Sequence, residues 1–273
     1  MDGEMEKNNF RFKKEFGQNF IFDTNFIESM VGKFDIPPQS NIVEIGAGMG
    51  TLTEVLANNF KRVVSFEIDK TLTEKLKILA QKHPNLTVIF GDILQQKLTD
   101  IEGLFGGEKY FVVANLPYYI TSQIIFKFLF ESKSLDGMFV MVQREVGERY
   151  CANFGSKEYG IPSVMLGAFA STKIVQQVSR KMFVPMPNVD SCIIQIKLDG
   201  NKFEIADKDK FHKFVAGCFA MKRKTLVNNL KKMGFDENEI LLALGQISTQ
   251  DKIRPEDVPV ENYVKMYNLL FKK

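Results

Sequence analysis

Short runs of β-branched and aromatic residues alternate with longer stretches in which apolar residues recur every three or four positions, and no other feature of this 273-residue sequence restricts its folding so tightly. The runs are Asn41–Ile45, Arg62–Glu67, Leu86–Phe90, Tyr110–Ala114 and Met138–Val142. Between them lie Leu52–Asn59, Leu72–Lys82 and Ser122–Phe130, each long enough to serve as a crossover helix. Repeated strand–helix–strand units predict a doubly wound α/β domain around a parallel sheet. Farther along, Ser163–Ala170 reads as helix, and Lys173–Val178 and Cys192–Leu198 read as strands separated by Pro185 and Pro187. Asp199-Gly200-Asn201 has the composition of a hinge. After it, Lys208–Met233, Asn238–Gly245 and Val260–Phe271 are helical in pattern, with Gly234 as a stop. The expected division is therefore 1–199 for the sheet domain, with a basic N-terminal arm, and 200–273 for a small all-helical domain.

Composition excludes other classes. With 45% hydrophobic and 25% charged residues the chain is neither disordered nor fibrous. Cys151, Cys192 and Cys218 are odd in number and far apart, in no metal-ligand spacing, so a reducing cytoplasm fits and no metal is expected. The first twenty residues carry both signs of charge and no apolar run, unlike a secretory signal. The longest uncharged stretch, Tyr110–Phe126, is interrupted by Asn115, Pro117, Ser122 and Gln123, so no membrane span is expected. The net charge is only +3, but the excess sits in residues 201–273, which hold 14 basic and 10 acidic side chains.

Val43-Glu44-Ile45-Gly46-Ala47-Gly48-Met49-Gly50 runs from a strand through three alternating glycines into a helix. Such a turn lets a nucleotide-like ligand lie against main chain at a helix N-terminus. The G-x-G-x-G spacing departs from the dinucleotide fingerprint and disfavours a pyrophosphate ligand. Glu67 ends the next strand, where an acidic residue can accept hydrogen bonds from both hydroxyls of a ribose. Asp92, followed by Ile93, comes after the third strand, and Asn115 after the fourth. Each alone suits a helix cap or turn. All four stand at the carboxyl ends of successive strands, the edge where open parallel sheets bind ligands.

Asn115-Leu116-Pro117-Tyr118 has the residue types needed to act on an adenine 6-amino group. That nitrogen is a poor nucleophile because its lone pair is delocalised into the ring, so acceptors for its N–H hydrogens favour reaction. The Asn115 side-chain oxygen and the Leu116 carbonyl are suitable acceptors. Pro117 has no N–H and stiffens the turn, and Tyr118 offers an aromatic face to an extruded base.

With these features in place, the chain closely resembles the KsgA family of ribosomal RNA small-subunit adenine dimethyltransferases. The resemblance runs through Phe16-Gly17-Gln18-Asn19-Phe20-Ile21, the glycine turn, Phe66-Glu67-Ile68-Asp69 and Gly91-Asp92. It continues in Asn115-Leu116-Pro117-Tyr118-Tyr119-Ile120-Thr121, Phe183-Val184-Pro185-Met186-Pro187-Asn188-Val189-Asp190-Ser191 and Lys222-Arg223-Lys224-Thr225-Leu226. It implies a Rossmann-like fold dependent on S-adenosyl-L-methionine. Asn19 and Ile21 would then meet the methionine end of that cofactor, Gly46 and Gly48 its backbone-cradled part, Glu67 the ribose, and Asp92 with Ile93 the adenine. Asn115 and Leu116 would hold the target amine, while Tyr118 and Phe183 stack on the target base. Ile21 stands where the family often has Leu, and Ala47 where it often has Pro. The implied reaction is in-line methyl transfer, performed twice, to two adjacent adenosines in a hairpin loop near the 3′ end of small-subunit rRNA in a pre-ribosomal 30S particle. A monomer is expected.

Two basic patches flank the chemistry. Lys7, Arg11, Lys13 and Lys14 lie beside Phe10 and Phe12, and Lys222, Arg223, Lys224, Lys231 and Lys232 recur within what reads as one helical segment. Such patches contact phosphates without reading sequence. The alternatives are an Erm-type large-subunit methyltransferase conferring macrolide resistance, a non-catalytic nucleic-acid-binding relative and a nicotinamide-dependent oxidoreductase. The Val184–Ser191 stretch and the Lys-Arg-Lys-Thr-Leu element disfavour the first, and the intact Asn115–Tyr118 turn disfavours the second. Glycine spacing disfavours the third. His83 and His212 lie outside the strand-end group, and no catalytic histidine is expected.

Overall fold

The computed structural model describes residues 19–198, 203–221, 223–247 and 252–271. The chain forms two compact units, one of residues 1–144 and 174–195, the other of residues 145–173 and 196–273. The expected boundary at 199 falls near the last of these crossings. The segment 145–173, expected with the sheet, instead groups with the C-terminal helices.

The first unit is built on β1 (Asn41–Ile45), β2 (Arg62–Glu67), β3 (Leu86–Phe90), β4 (Tyr110–Asn115) and β5 (Leu135–Gln143). β6 (Ser171–Val178) and β7 (Ser191–Lys197) complete a seven-stranded sheet in the order β3-β2-β1-β4-β5-β7-β6. β1 lies parallel to both β2 and β4, β2 to β3, and β4 to β5, with Ile45 level with Phe66 and Ala114. All five residues of β1 are buried, the unbroken pattern of a central strand covered on both faces. Preceding β1 is α1 (Thr24–Val31), whose N-cap Asp23 accepts from the Phe26 N–H at 3.0 Å. The crossovers are α2 (Thr51–Asn59), α3 (Thr73–Lys82), α4 (Leu98–Leu104) and α5 (Thr121–Glu131). On one face of the sheet Ile42, Val63, Val113, Phe139 and Ile193 pack with Ile27, Met30, Val31 and Leu56 of α1 and α2. This packing stiffens the strands whose carboxyl ends carry the polar residues.

The second unit contains α6 (Arg144–Tyr150), α7 (Ile161–Phe169), α8 (Lys208–Cys218), α9 (Leu226–Lys232), α10 (Glu237–Gly245) and α11 (Val260–Phe271). Its core is aromatic: Phe214 meets Phe235, Tyr267 and Phe271, and Phe219 stacks on Tyr263 at 5.8 Å. No helix among the described residues is long and apolar enough to cross a membrane.

The single helix expected over Lys208–Met233 is two helices, interrupted at 219–225. The break has a local cause. Thr225 caps α9 by accepting from the Asn228 N–H, and the buried Asn229 amide accepts from the Met221 N–H at 2.7 Å and donates to the Thr225 carbonyl at 3.1 Å. These bonds replace the backbone ladder a continuous helix would have made. Arg223 and Lys224 therefore stand exposed on a connecting loop rather than on a helical face, while Lys231 pairs with Glu237 at 2.5 Å. Lys222, Lys13, Lys14 and the hinge Asp199–Asn201 lie outside the described residues, as does Phe16-Gly17-Gln18.

Candidate active site

The carboxyl ends of β1, β2, β3 and β4 open onto a cleft of about 820 Å³. Asn19, Gly46, Gly48, Glu67, Asp92, Ile93, Asn115, Leu116, Pro117 and Tyr118, all singled out in the sequence, line it. Phe20, Ile68 and Tyr119 line it as well, and none of these three was assigned a role there from the sequence. Each directly follows or precedes an assigned residue. All three also lie within the stretches that carry the family resemblance, which was the signal available for them.

The turn after β1 is shaped by glycine. Gly46 has φ +82° and Gly48 φ +54°, in the left-handed region that side chains rarely adopt. At Gly48 a Cβ would also fall 2.6 Å from the Phe20 ring, so the position is closed to any other residue while that ring rests there. Glu67 organises the turn from β2. Its Oε2 accepts from the Gly48 N–H at 2.7 Å and its Oε1 from the Asp69 N–H at 2.8 Å. Burial pushes the Glu67 carboxyl up from its ordinary value, against the opposing effect of those backbone donors. A carboxylate has about four lone-pair directions, so capacity remains for a hydroxyl donor in the cleft. Asp92 caps the single turn Ile93–Gln95 by accepting from the Leu94 N–H through Oδ1 at 2.9 Å, which leaves its other oxygen available among the described residues.

At the end of β4, Asn115 donates through Nδ2 to the Asn19 carbonyl at 3.0 Å. A carbonyl can only accept, so this bond fixes which end of the amide is NH₂ and leaves Oδ1 as a free acceptor among the described residues. The Leu116 N–H donates to the Met141 carbonyl at 3.2 Å, while the Leu116 carbonyl has no hydrogen-bond partner among the described residues. Two acceptors on consecutive residues thus remain at the cleft. Tyr118 is half-buried, and its Oη lies 2.9 Å from Ser191 Oγ. Beneath the turn, Glu44 is fully buried; Ser65 donates to its Oε2 at 2.6 Å, and its Oε1 has no partner among the described residues. Burial raises the Glu44 pKa to about 7, against the stabilising Ser65 hydroxyl and a Thr53 hydroxyl that lies outside hydrogen-bonding geometry.

Two of the residues singled out in the sequence do not line the main cleft. Phe183 is only 2% exposed and packs in the apolar core near Ile21, Val178 and Met182, so it offers no face to the cleft. The antiparallel bridge between Phe20 and Val184 fixes this segment and leaves its neighbour Phe183 turned inward. Ile21 likewise does not line the main cleft. It lines a second, apolar cavity of about 440 Å³ with Ile27, Met30 and Met141, which shares Phe20, Gly46, Gly48 and Asn115 with the first.

A glycine-shaped turn, a buried acid on the second strand, an acid after the third and an Asn-Leu-Pro-Tyr turn after the fourth define an α/β methyltransferase that uses S-adenosylmethionine. The donor set fits that cofactor: a buried carboxylate for vicinal hydroxyls, an available Asp92 oxygen for an exocyclic amine, and bare main chain at Gly46. The chain belongs to the ribosomal RNA adenine dimethylase family, whose sequence profile matches residues 9–272. It is 41% identical to the ribosomal RNA small subunit methyltransferase A of Bacillus mycoides and to that of Bacillus cereus, over 97% of this chain and 94% of each relative. Two solved structures share its fold at 24% identity. A dimethyladenosine transferase from Plasmodium falciparum matches with a TM-score of 0.78 over 90% of this chain and 95% of its own, and the 23S rRNA methyltransferase ErmE with 0.73 over 92% and 99%.

Proposed function

We propose that this enzyme transfers methyl groups from S-adenosyl-L-methionine to the 6-amino groups of two adjacent adenosines in a hairpin loop near the 3′ end of small-subunit rRNA, within a pre-ribosomal 30S particle in the cytoplasm. The observation that carries the reading is the pair of unpartnered acceptors, Asn115 Oδ1 and the Leu116 carbonyl, presented at the cleft by an amide whose orientation the Asn19 carbonyl fixes. Similarity over nearly the whole chain to relatives named for the small subunit supports the choice of substrate.

In this reading Gly46 and Gly48 bind the cofactor through main chain, Glu67 accepts from its ribose hydroxyls, and Asp92 beside Ile93 accepts from its adenine amine. When bound, the cofactor supplies an electrophilic methyl group with a neutral leaving group. Asn115 and Leu116 accept the target N–H hydrogens and draw the nitrogen lone pair out of conjugation. Pro117 holds that turn, and Tyr118 carries a face of the extruded base. Arg223 and Lys224 contact RNA phosphates, and Lys13, Lys14 and Lys222 have the charge to do the same. The protein acts as a monomer. Incubation with labelled S-adenosylmethionine and separately purified unmethylated small and large subunits, followed by mapping of the labelled nucleotides, tests the proposal. Two adjacent dimethyladenosines in small-subunit RNA are expected, and label confined to the large subunit overturns it.

A further inference from the structure

We propose that Ser191 is a positioning residue for the target base, acting through the hydroxyl of Tyr118. The inference rests on the functional reading above, in which Tyr118 carries a face of that base. Tyr118 projects from the turn after β4, and a ring attached at its backbone end alone can swing between rotamers. Its hydroxyl, however, is tied across 73 residues of sequence to the Ser191 hydroxyl at 2.9 Å. Ser191 is fully buried, and Tyr118 is the one partner its hydroxyl has among the described residues. A buried hydroxyl left unpaired is costly, so burial of Ser191 favours the bond. Burial also raises the Tyr118 pKa, which keeps its hydroxyl protonated and able to donate at neutral pH.

Ser191 is itself held in place through its neighbour. It opens β7, and the preceding Asp190 makes three links. Its carbonyl accepts from the Arg144 N–H at 3.0 Å, its Oδ1 from the Arg180 N–H at 3.0 Å, and its Oδ2 lies 3.7 Å from the Arg144 guanidinium. These join the start of β7 to the end of β5 and to the turn Arg180–Met182. The catalytic turn is held separately, through the Leu116 N–H to Met141 and the Thr121 hydroxyl to the Pro117 carbonyl at 3.0 Å. Tyr118 is thus clamped at its backbone and at its hydroxyl, and one ring orientation results. In-line transfer is sensitive to small errors in the angle between reacting groups, so a loose ring would slow the chemical step while leaving cofactor binding alone.

The test uses the full chain with unmethylated small subunits and compares Ser191→Ala, Tyr118→Phe and the double variant. Each single substitution should lower kcat by about three- to tenfold, the factor carried by one neutral hydrogen bond. The double variant should be no slower than either single, because both remove the same bond. Cofactor affinity by titration should match the unmodified protein, and Ser191→Thr, which keeps the hydroxyl, should retain most of kcat. Full kcat in Tyr118→Phe, or a double variant slowed by the product of the single factors, overturns the proposal. Should Ser191→Ala melt at the assay temperature, Tyr118→Phe and Ser191→Thr decide it: loss in the first with retention in the second supports it, and full activity in the first refutes it. The unmodified protein assayed in parallel reports on the substrate reading itself. If that protein labels large subunits instead, the same cycle is run on them.

Discussion

At the strand ends, the proposed site residues Glu67 and Asn115 are held by main chain, whereas in the loop between α8 and α9 the side chains of Arg223 and Lys224 have no such hold among the described residues. Glu67 spends both carboxyl oxygens on the N–H groups of Gly48 and Asp69, and Asn115 spends its amide nitrogen on the Asn19 carbonyl. Arg223 and Lys224 are exposed and make no side-chain hydrogen bond or ion pair among the described residues. The difference fits the chemistry proposed for each region. Methyl transfer depends on acceptors fixed to within a fraction of an ångström, while phosphate neutralisation works at a distance and tolerates motion. Substitutions at the strand ends should therefore act singly and steeply, and those in the loop by degrees.

The steepest effect is expected at Asn115. Asn115→Ala should leave cofactor titration intact and slow methyl transfer on the order of 10²–10³-fold, as loss of one preorganised hydrogen-bond partner does elsewhere. Near-normal turnover would dissolve the contrast between the two regions. Next comes Glu44, whose carboxyl has its pKa raised to about 7 by complete burial. The fold tolerates its protonated form better than its ionised one. Stability is thus fully present below the unfolded value near 4.5 and is lost as pH rises toward 7, by as much as ~3 kcal/mol. Denaturant titrations between pH 5 and 8 should show this decline, and Glu44→Gln, neutral at every pH, should flatten it. Equal pH slopes in the two proteins would place the titration elsewhere.

Glu67→Ala should raise the cofactor dissociation constant by about tenfold or more, since each charge-assisted bond contributes roughly 1.5–3 kcal/mol. An unchanged titration midpoint would move the ribose away from Glu67. The smallest single-site effects belong to the loop. Replacing Lys222, Arg223 and Lys224 together should reduce the slope of log RNA affinity against log salt by ~2–3, about 0.7–0.9 for each phosphate contact, with cofactor affinity unaltered. If Arg223→Ala alone abolished RNA binding, the loop would be reading RNA by fixed geometry, and the two regions would work alike.

The helical break illustrates why part of the fold was not legible. Phe211, Phe214, Val215, Cys218, Leu226 and Leu230 are all buried and keep nearly helical spacing through the sequence. That spacing predicts a continuous helix over Lys208–Met233. Thr225 was the readable sign of a new N-terminus, but burial of Asn229, which fixes the turn by bonding back to Met221, depends on packing. By contrast, β1, β2 and β3 have the boundaries their β-branched runs predict. β5 begins three residues early because Leu135 and Gly137, which belong to no such run, pair with Tyr110 and Phe111 of β4 across a register shift at Asp136.

What the sequence by itself determined is local: the alternation of strand and helix, and the left-handed backbone that only glycine adopts readily at positions 46 and 48. With them came the polar residues waiting at the next three strand ends, Glu67, Asp92 and Asn115. These depend on periodicity and backbone sterics, which neighbouring residues set among themselves. The tertiary structure alone decided that Phe183 and Ile21 do not line the main cleft and that the Asn115 amide nitrogen is taken up by the Asn19 carbonyl. It also placed a serine 73 residues away where it meets the hydroxyl of Tyr118. Each of these rests on a contact between segments remote in sequence, and no pattern within a segment encodes its partner's position.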